Sequence, residues 1–262
     1  MITLSRDQAD IEHAPRFKIR TQLSDEVASF VRDSIMSGQL RGNEYVRLDW
    51  LANHLGVSTT PVREALLSLR AEGFVALEPR KGFVVLPINS SDVKDVFLAQ
   101  ASLSGELASR AAMKITDEAM SRLRSTQVRL REAAAANDFE AIEMENYLFH
   151  REINLLGDAP KLAWLLGMVA RYSPRRFFAS IHGWTSASIE DHDDILSALE
   201  QRDGTKAMEA MYAHLIHAGD LLAEYLINLD ESDSRLPIFH TAVRQRSRSD
   251  LHADGGTSDR LA

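Results

Sequence analysis

The apolar residues between Leu23 and Leu86 follow a helical spacing three times and then a strand spacing twice. The helical segments predict helices over residues 23–36, 48–55 and 61–72, the last with Thr60 as its N-cap and Pro61 in the first helical position. The strand segments, 74–77 and 83–86, flank a polar turn. A chain of three helices followed by a hairpin is expected to fold as a winged helix-turn-helix domain.

The rest of the chain is expected to be helical, so the predicted fold class is mainly α: a winged helix-turn-helix followed by an all-α bundle. Gly, Pro or Asp stands at most of the breaks in the helical spacing. The predicted helices are 93–114, 117–136, 139–156, 161–171, 177–181, 186–202 and 205–229. The expected domains are a flexible arm at 1–15, the winged domain at 16–88, the helical domain at 89–230 and a disordered tail at 231–262.

Composition excludes several kinds of protein and site. The 262 residues include no Cys, which excludes disulfides, thiolate metal sites and a cysteine nucleophile, so a metal would need His, carboxylate or amide ligands. No apolar run is long enough to span a membrane, and the first fifteen residues lack the pattern of a signal peptide. We therefore expect a cytoplasmic protein without a membrane partner.

The distribution of charge is compatible with DNA binding, although the net charge is -8. Residues 16–88 carry ten Lys and Arg against eight Asp and Glu, whereas residues 89–262 carry 19 against 27. Because DNA binding depends on cations that neutralise phosphates, the weakly basic first domain permits such binding without indicating it.

The start of the third helix has the residue types that a DNA-recognition helix needs. Short hydroxyl side chains allow close approach to the duplex, and the guanidinium of an arginine matches guanine or phosphate oxygens. The candidate DNA-binding residues here are Ser58, Thr59, Thr60 and Arg63, and those at the tip of the hairpin are Arg80, Lys81 and Gly82. The alternative is a winged helix that contacts protein, with Arg63 paired to a surface carboxylate.

Four side chains of the helical domain form a candidate metal site. Asn146 and His150 are four residues apart and project from one face of a helix, while His192 and His214 lie on later helices that can converge with it. Three imidazoles and one oxygen could hold a divalent cation such as Zn, Ni or Mn. Alternatively, the histidines are surface or hydrogen-bonded residues that bind no metal.

The segment Leu51-Ala52-Asn53-His54-Leu55-Gly56-Val57-Ser58-Thr59-Thr60-Pro61-Val62-Arg63-Glu64-Ala65-Leu66, followed by Glu72-Gly73-Phe74-Val75, resembles the DNA-binding domain of GntR-family transcription regulators. The match covers about residues 20–87. The resemblance implies that a dimer binds operator DNA. Thr59 departs from the pattern, because many relatives carry at that position an arginine that helps to recognise DNA.

The helical domain resembles the FCD effector-binding domain of the FadR subfamily over about residues 92–228. The resemblance rests on Phe149-His150, on Glu190-Asp191-His192 with Ile195-Leu196, and on Ala207 through Met211 to His214-Leu215. It implies a divalent metal held by an aspartate and three histidines, which helps to bind a small carboxylate effector. Asn146 stands at the position of the aspartate and is a weaker, neutral donor.

A second departure from the family pattern concerns the effector. Relatives commonly carry an arginine four residues before the glutamate that corresponds to Glu106, and this chain has Ser102 there. The candidate effector-binding residues are Ser102, Arg171 and Arg175. If that arginine receives the effector carboxylate in relatives, this pocket must use another cation, such as Arg171, Arg175 or Arg176, or must bind a different ligand. The alternative is that these arginines are solvated surface groups.

The sequence therefore predicts a regulator rather than an enzyme: a homodimeric repressor that binds a palindromic operator and responds to a small metabolite. Two alternatives remain open at this stage. One is a metal-dependent enzyme that uses His150, His192 and His214. The other is a regulator whose helical domain serves only for dimerisation.

Overall fold

The computed structural model describes residues 23–173 and 178–231, with side chains up to residue 228. The predictions for the arm at 1–15, for the tail beyond residue 231 and for Arg175 and Arg176 fall outside these residues. Within them the chain is mainly α-helical, with three short strands near its beginning. The predicted fold class is confirmed.

The first domain has the predicted order of elements, with one additional strand. Its elements are α1 (Leu23–Met36), β1 (Tyr45–Val46), α2 (Leu48–Leu55), α3 (Thr59–Ala71), β2 (Val75–Glu78) and β3 (Gly82–Val85). The strands form an antiparallel sheet in the order β1-β3-β2. β1 was not predicted, because two residues are too few to show a strand period.

The predicted N-cap of α3 is wrong by two residues. Ser58 is the N-cap, with an extended backbone, and Thr60 already lies inside the helix. Proline is tolerated throughout the first turn of a helix, where N–H groups have no partner within the helix, so Pro61 did not fix the first residue.

The second domain consists of six helices and two 3₁₀ turns among the described residues. They are α4 (Ser90–Lys114), α5 (Asp117–Ala136), α6 (Phe139–Leu156), α7 (Pro160–Val169), the turns Ala170–Tyr172 and Phe178–Ser180, α8 (Trp184–Glu200) and α9 (Gly204–Glu231). The predicted bounds of α5 and α6 are confirmed to the residue. α4 begins three residues earlier than predicted, because Asn89 and Asp92 form a capping box.

α4 and α9 form the central helix pair of this domain. Two glycines permit their close approach: a Cβ at Gly219 would lie 2.6 Å from the side chain of Phe97, and one at Gly105 would lie 3.1 Å from the backbone oxygen of Met208. None of the described helices is long and apolar enough to cross a membrane.

Most buried apolar residues of the described part of the chain form two clusters. The first cluster contains the core of the winged domain, including Leu66 and Phe74, and continues without a break into the helical domain through Phe97, Ile142 and Trp184. The second cluster lies within the helical domain and is built from α4, α5, α6, α8 and α9. Because the first cluster crosses the domain boundary, the winged domain packs directly on the helical domain.

Candidate functional site

α3 has one buried face and one exposed face. Val62, Ala65, Leu66 and Leu69 face the core, whereas Ser58, Thr59, Thr60 and Arg63 are exposed. The side chain of Ser58 makes no capping hydrogen bond. The first backbone N–H groups of α3 therefore have no capping side chain and can meet a phosphate, as helix N-termini do.

Arg63 makes no ion pair with any residue that the structure describes, which disfavours the alternative that it serves a surface carboxylate. Leu67 lies one turn further along the same face and is 42% exposed, although it is a large apolar side chain. Leu67 was not among the predicted candidate DNA-binding residues. The available signal was its position outside the buried stripe of α3, next to Leu66.

The tip of the β2–β3 hairpin places two candidate residues in unusual backbone conformations. Arg80 has a φ of 67° and Gly82 a φ of 99°. Arg80 is exposed, but Lys81 is paired with Glu78 at 3.1 Å and lies 5.8 Å from the ring centre of Tyr45. The hydroxyl of Tyr45 donates to the same carboxylate. Arg80 is thus the more available cation of the wing.

The structure brings the three predicted histidines together. One ring nitrogen each of His150 (α6), His192 (α8) and His214 (α9) lies within 4.8 Å of the other two. The Nε2 atoms of His150 and His214 are 3.2 Å apart, and the ring of His192 stacks on the fully buried ring of Phe149. Zn–N bonds of about 2.0–2.1 Å in a tetrahedral site would place ligand nitrogens about 3.4 Å apart, close to the 3.2 Å between the Nε2 atoms of His150 and His214.

Hydrogen bonds fix the orientation of His192. The amide nitrogen of Gln127 donates to the carbonyl of Ile189 and to Asp193, so its oxygen faces Nδ1 of His192 at 3.2 Å. An amide oxygen only accepts, hence Nδ1 carries the proton and Nε2 carries the lone pair. Nε2 is buried and has no hydrogen-bond partner among the described residues.

His214 is oriented in the same way by a carboxylate. Its Nδ1 donates to Asp191 at 3.1 Å, which leaves the lone pair on Nε2, beside His150. Burial opposes ionisation of Asp191, but the hydrogen bond from His214 holds the pKa of Asp191 below its ordinary value. A carboxylate behind a ligating imidazole is a common arrangement in metal sites.

The electrostatic setting favours neutral imidazoles. Burial, together with the nearby His214, lowers the pKa of His150 to about 3. Burial also lowers the pKa of His192 well below its ordinary value, with contributions from His214 and His150. Because metals bind the neutral ring, both side chains are in the ligating form at neutral pH.

Asn146 lies one turn before His150 on α6, and its Oδ1 is buried without a hydrogen-bond partner among the described residues. An unpaired buried oxygen is costly unless something binds to it. The three imidazoles form a nitrogen donor set that suits a borderline divalent cation. Asn146, on the same face of α6 as His150, is the candidate for an oxygen ligand.

The residues predicted to contact an effector lie elsewhere. Ser102 is on the exposed face of α4, where its hydroxyl donates to the carbonyl of Leu98. Arg171 is ion-paired with Glu72 at the end of α3, in the winged domain. Arg175 is outside the described residues. The ion pair of Arg171 with Glu72 was not predictable from local sequence patterns, because the two partners are 99 residues apart.

Comparison with known proteins decides the family. Residues 23–85 match the bacterial regulatory proteins of the gntR family, and residues 95–217 match the FCD domain. The chain is a GntR-family regulator with an FCD domain. Proteins of this family are transcriptional regulators and not enzymes, so the regulator binds DNA and the enzyme alternative is removed.

Two curated relatives illustrate how far the similarity extends. The regulator is 28% identical over 162 residues to the HTH-type transcriptional repressor RspR of Escherichia coli (strain K12), an alignment that covers 61% of this chain and 71% of that protein. It is 29% identical over 106 residues to an uncharacterized HTH-type transcriptional regulator of Agrobacterium vitis, from the TAR-I ttuE-ttuC' intergenic region. That alignment covers 39% of this chain and spans 62% of the relative.

A solved structure has the same fold. The E. coli protein McbR/YncC superposes with a TM-score of 0.63 at 21% identity, over 79% of this chain and all of that one. At this identity the similarity supports the shared fold of the regulator and no finer property.

Proposed function

We propose that this regulator is a homodimeric repressor that binds an inverted-repeat operator through α3 and responds to a small carboxylate bound at the histidine cluster. The observation that supports this proposal most directly is the exposed face of α3. Arg63 on this face is unpaired among the described residues, and the opposite face of the helix is buried in the core of the winged domain. Repression is supported by the name of the RspR relative.

In the proposed complex α3 lies in the major groove. Arg63 donates to guanine or phosphate oxygens, and Leu67 contacts thymine methyl groups one turn further along. Ser58, Thr59 and Thr60 bring the start of α3 close to the backbone, and Arg80 with Gly82 at the wing contacts phosphate beside the groove. Lys81 can contact phosphate only if its ion pair with Glu78 is broken.

Two copies are needed for specificity. One short recognition helix contacts too few base pairs to define a unique genomic site, whereas a dimer doubles the contacts and places them on one face of the duplex. The proposed operator is therefore palindromic.

The histidine cluster is proposed to hold a divalent cation such as Zn, Ni or Mn through His150, His192, His214 and Asn146. When bound, the cation supplies positive charge that attracts an effector carboxylate. Gln127 and Asp191 keep the ring nitrogens directed inward, so the site needs little reorganisation. Because Arg171 is held by Glu72, we assign the effector carboxylate to the metal and not to this arginine.

Selection from a pool of random duplexes tests the DNA proposal. The full chain is expected to enrich an inverted repeat, and Arg63→Ala is expected to enrich none at the same salt concentration. Enrichment of a single unrepeated site would contradict dimeric recognition.

Metal analysis of the dialysed protein tests the second proposal. We expect metal in the wild type and its loss from His150→Ala, His192→Ala and His214→Ala alike. Chelation should lower the melting temperature of the wild type and not that of these three variants, because a ligand bound by the native state stabilises it. His54→Ala, in the winged domain, is the control. A wild type that carries no metal and ignores both added Zn and chelator would contradict the site, leaving a helical domain that serves only for dimerisation.

A further inference from the structure

Glu72, the residue directly after α3, contacts residues of both domains. Its carboxylate accepts hydrogen bonds from the guanidinium of Arg32 on α1, at 2.8 and 3.1 Å, and from the hydroxyl of Ser68 on α3. The same carboxylate is ion-paired with Arg171 of the helical domain. The Glu72 side chain is only 9% exposed, so solvent screens these interactions weakly.

Tyr172 makes a second connection at the same place. Its hydroxyl donates to the backbone carbonyl of Glu72, and its ring stacks on Phe74 with 4.4 Å between the ring centres. Gly73 makes room for this contact, because its φ is 85° and a Cβ there would lie 2.9 Å from the Tyr172 hydroxyl. The end of the recognition helix is thus in contact with the turn Ala170–Tyr172.

That turn is itself fixed to the central helix of the second domain. The buried side chain of Gln100 on α4 accepts a hydrogen bond from Ser173 at 3.0 Å, and its amide donates to the carbonyl of Val169 at 3.5 Å. The residues on both sides of the turn are therefore tied to α4, which packs along α9, the helix that carries His214.

We propose that Glu72 is a positioning residue for operator recognition: with Arg171 and Tyr172 it fixes the orientation of α3 relative to the helical domain. In a dimer held together elsewhere, this orientation determines the distance and angle between the two recognition helices. The contact therefore sets which spacing between half-sites is bound. The inference rests on the proposed dimeric function and adds to it the residues that govern spacing.

The test uses variants on the helical side, so that the core of the winged domain stays intact. Tyr172→Phe removes the hydroxyl and keeps the ring on Phe74, and Arg171→Ala removes the ion pair. The matched control is Arg110→Ala, whose ion pair with Glu106 lies within α4; Arg110 and Arg171 are similarly exposed, at 47% and 48%.

The first readout is affinity for operators whose spacer is changed by two base pairs, which rotates one half-site by about 70° relative to the other. We expect the wild type and Arg110→Ala to lose roughly tenfold in affinity on this change, and the double variant Arg171→Ala/Tyr172→Phe to lose less than about threefold. Equal losses in all three proteins would overturn the proposal. A role of Glu72 in stability alone would lower the melting temperature without changing spacer preference.

The second readout needs no DNA, and it separates this inference from the proposed function. The chain has no Cys, so Glu26→Cys on α1 and Glu209→Cys on α9 provide the only thiols for nitroxide labels. The labelled protein is diluted with unlabelled protein so that only the distance between the two labels of one chain is measured. With otherwise wild-type sequence we expect one narrow distance distribution, and with Arg171→Ala/Tyr172→Phe a broad one. Unchanged distributions overturn the proposed contact even if an inverted repeat is selected.

Discussion

Arg63 is the side chain whose removal most directly tests DNA recognition at the scale of single residues. It is exposed in the first part of α3 and pairs with no described residue, so Arg63→Ala removes no ion pair or hydrogen bond within the described residues. We expect unchanged thermal stability and a loss of about 1–3 kcal/mol of operator binding free energy per half-site. Fluorescence anisotropy at fixed salt measures this loss, and Arg110→Ala, an exposed arginine of α4 outside the winged domain, is the control.

Asn146 distinguishes metal ligation from packing. A carboxylate attracts a divalent cation more strongly than an amide does, so we expect Asn146→Asp to tighten metal binding roughly tenfold, or about 1.4 kcal/mol. A competition titration with a metal-sensitive dye measures the change. Asn154→Asp adds the same charge two turns further along α6, where another buried amide oxygen lacks a partner among the described residues. Equal tightening in both variants would assign the effect to charge instead of ligation.

The raised pKa of Glu143 leads us to expect that the stability of the protein depends on pH. Burial, aided by the charge of Asp33, raises the pKa of Glu143 from 4.5 to about 7, although its carboxylate accepts N–H groups from Phe178 and Ala179. Between these pH values the folded protein retains a proton that the unfolded chain releases, so the contribution of Glu143 to stability is full below pH 4.5 and is lost as the pH rises through 7.

Glu143→Gln keeps a hydrogen-bond acceptor and removes the titration. We expect the variant to be more stable than the wild type at pH 8, by on the order of 1–3 kcal/mol, and little changed at pH 4.5. Chemical denaturation at the two pH values provides the measurement. Glu140→Gln, exposed on the same helix, should show no such difference; parallel pH profiles for Glu143→Gln and the wild type would contradict the role of burial.

At the scale of elements, the wing is expected to contribute charge instead of base recognition. Arg80→Ala should weaken binding to all sequences similarly and reduce the slope of log affinity against log salt by about one. Lys81→Ala should change less, because Glu78 already neutralises Lys81. Glu78→Gln, which releases Lys81, should strengthen binding. A change in base preference in the Arg80 variant would show that the wing recognises sequence.

The elements also show what the sequence could and could not predict. α5 and α6 were predicted to the residue, because Thr116 and Asp138 cap their first turns and Asn137 ends α5 with a left-handed backbone. The partners of distant residues were not predictable. Gln127 orients His192 from 65 residues away, and no periodicity specifies such a pair.

The histidine cluster was predictable in part from local sequence spacing. Spacing predicted that Asn146 and His150 share one face of α6, because that relation is local. The convergence with His192 and His214 depends on how α8 and α9 pack. Spacing along the chain only allowed this convergence, and the resemblance to the FCD domain was what favoured it.

At the scale of the whole molecule, α6 and α8 connect the two apolar clusters. α6 has Ile142 in the cluster that includes the winged domain and Phe149 in the cluster beside the histidines, and α8 has Trp184 and Ile195 in the same two places. Two continuous helices therefore run from the histidine cluster to the domain boundary. The contact of Glu72 with Arg171 and Tyr172 joins that boundary to α3.

Hydroxyl-radical footprinting of the full chain on its selected operator tests most directly whether two copies place α3 in two half-sites. We expect two protected patches on one face of the duplex, centred about 10–10.5 base pairs or a multiple of that apart, with both patches lost together in Arg63→Ala. A single protected patch, or two patches that persist in Arg63→Ala, would contradict dimeric recognition through α3.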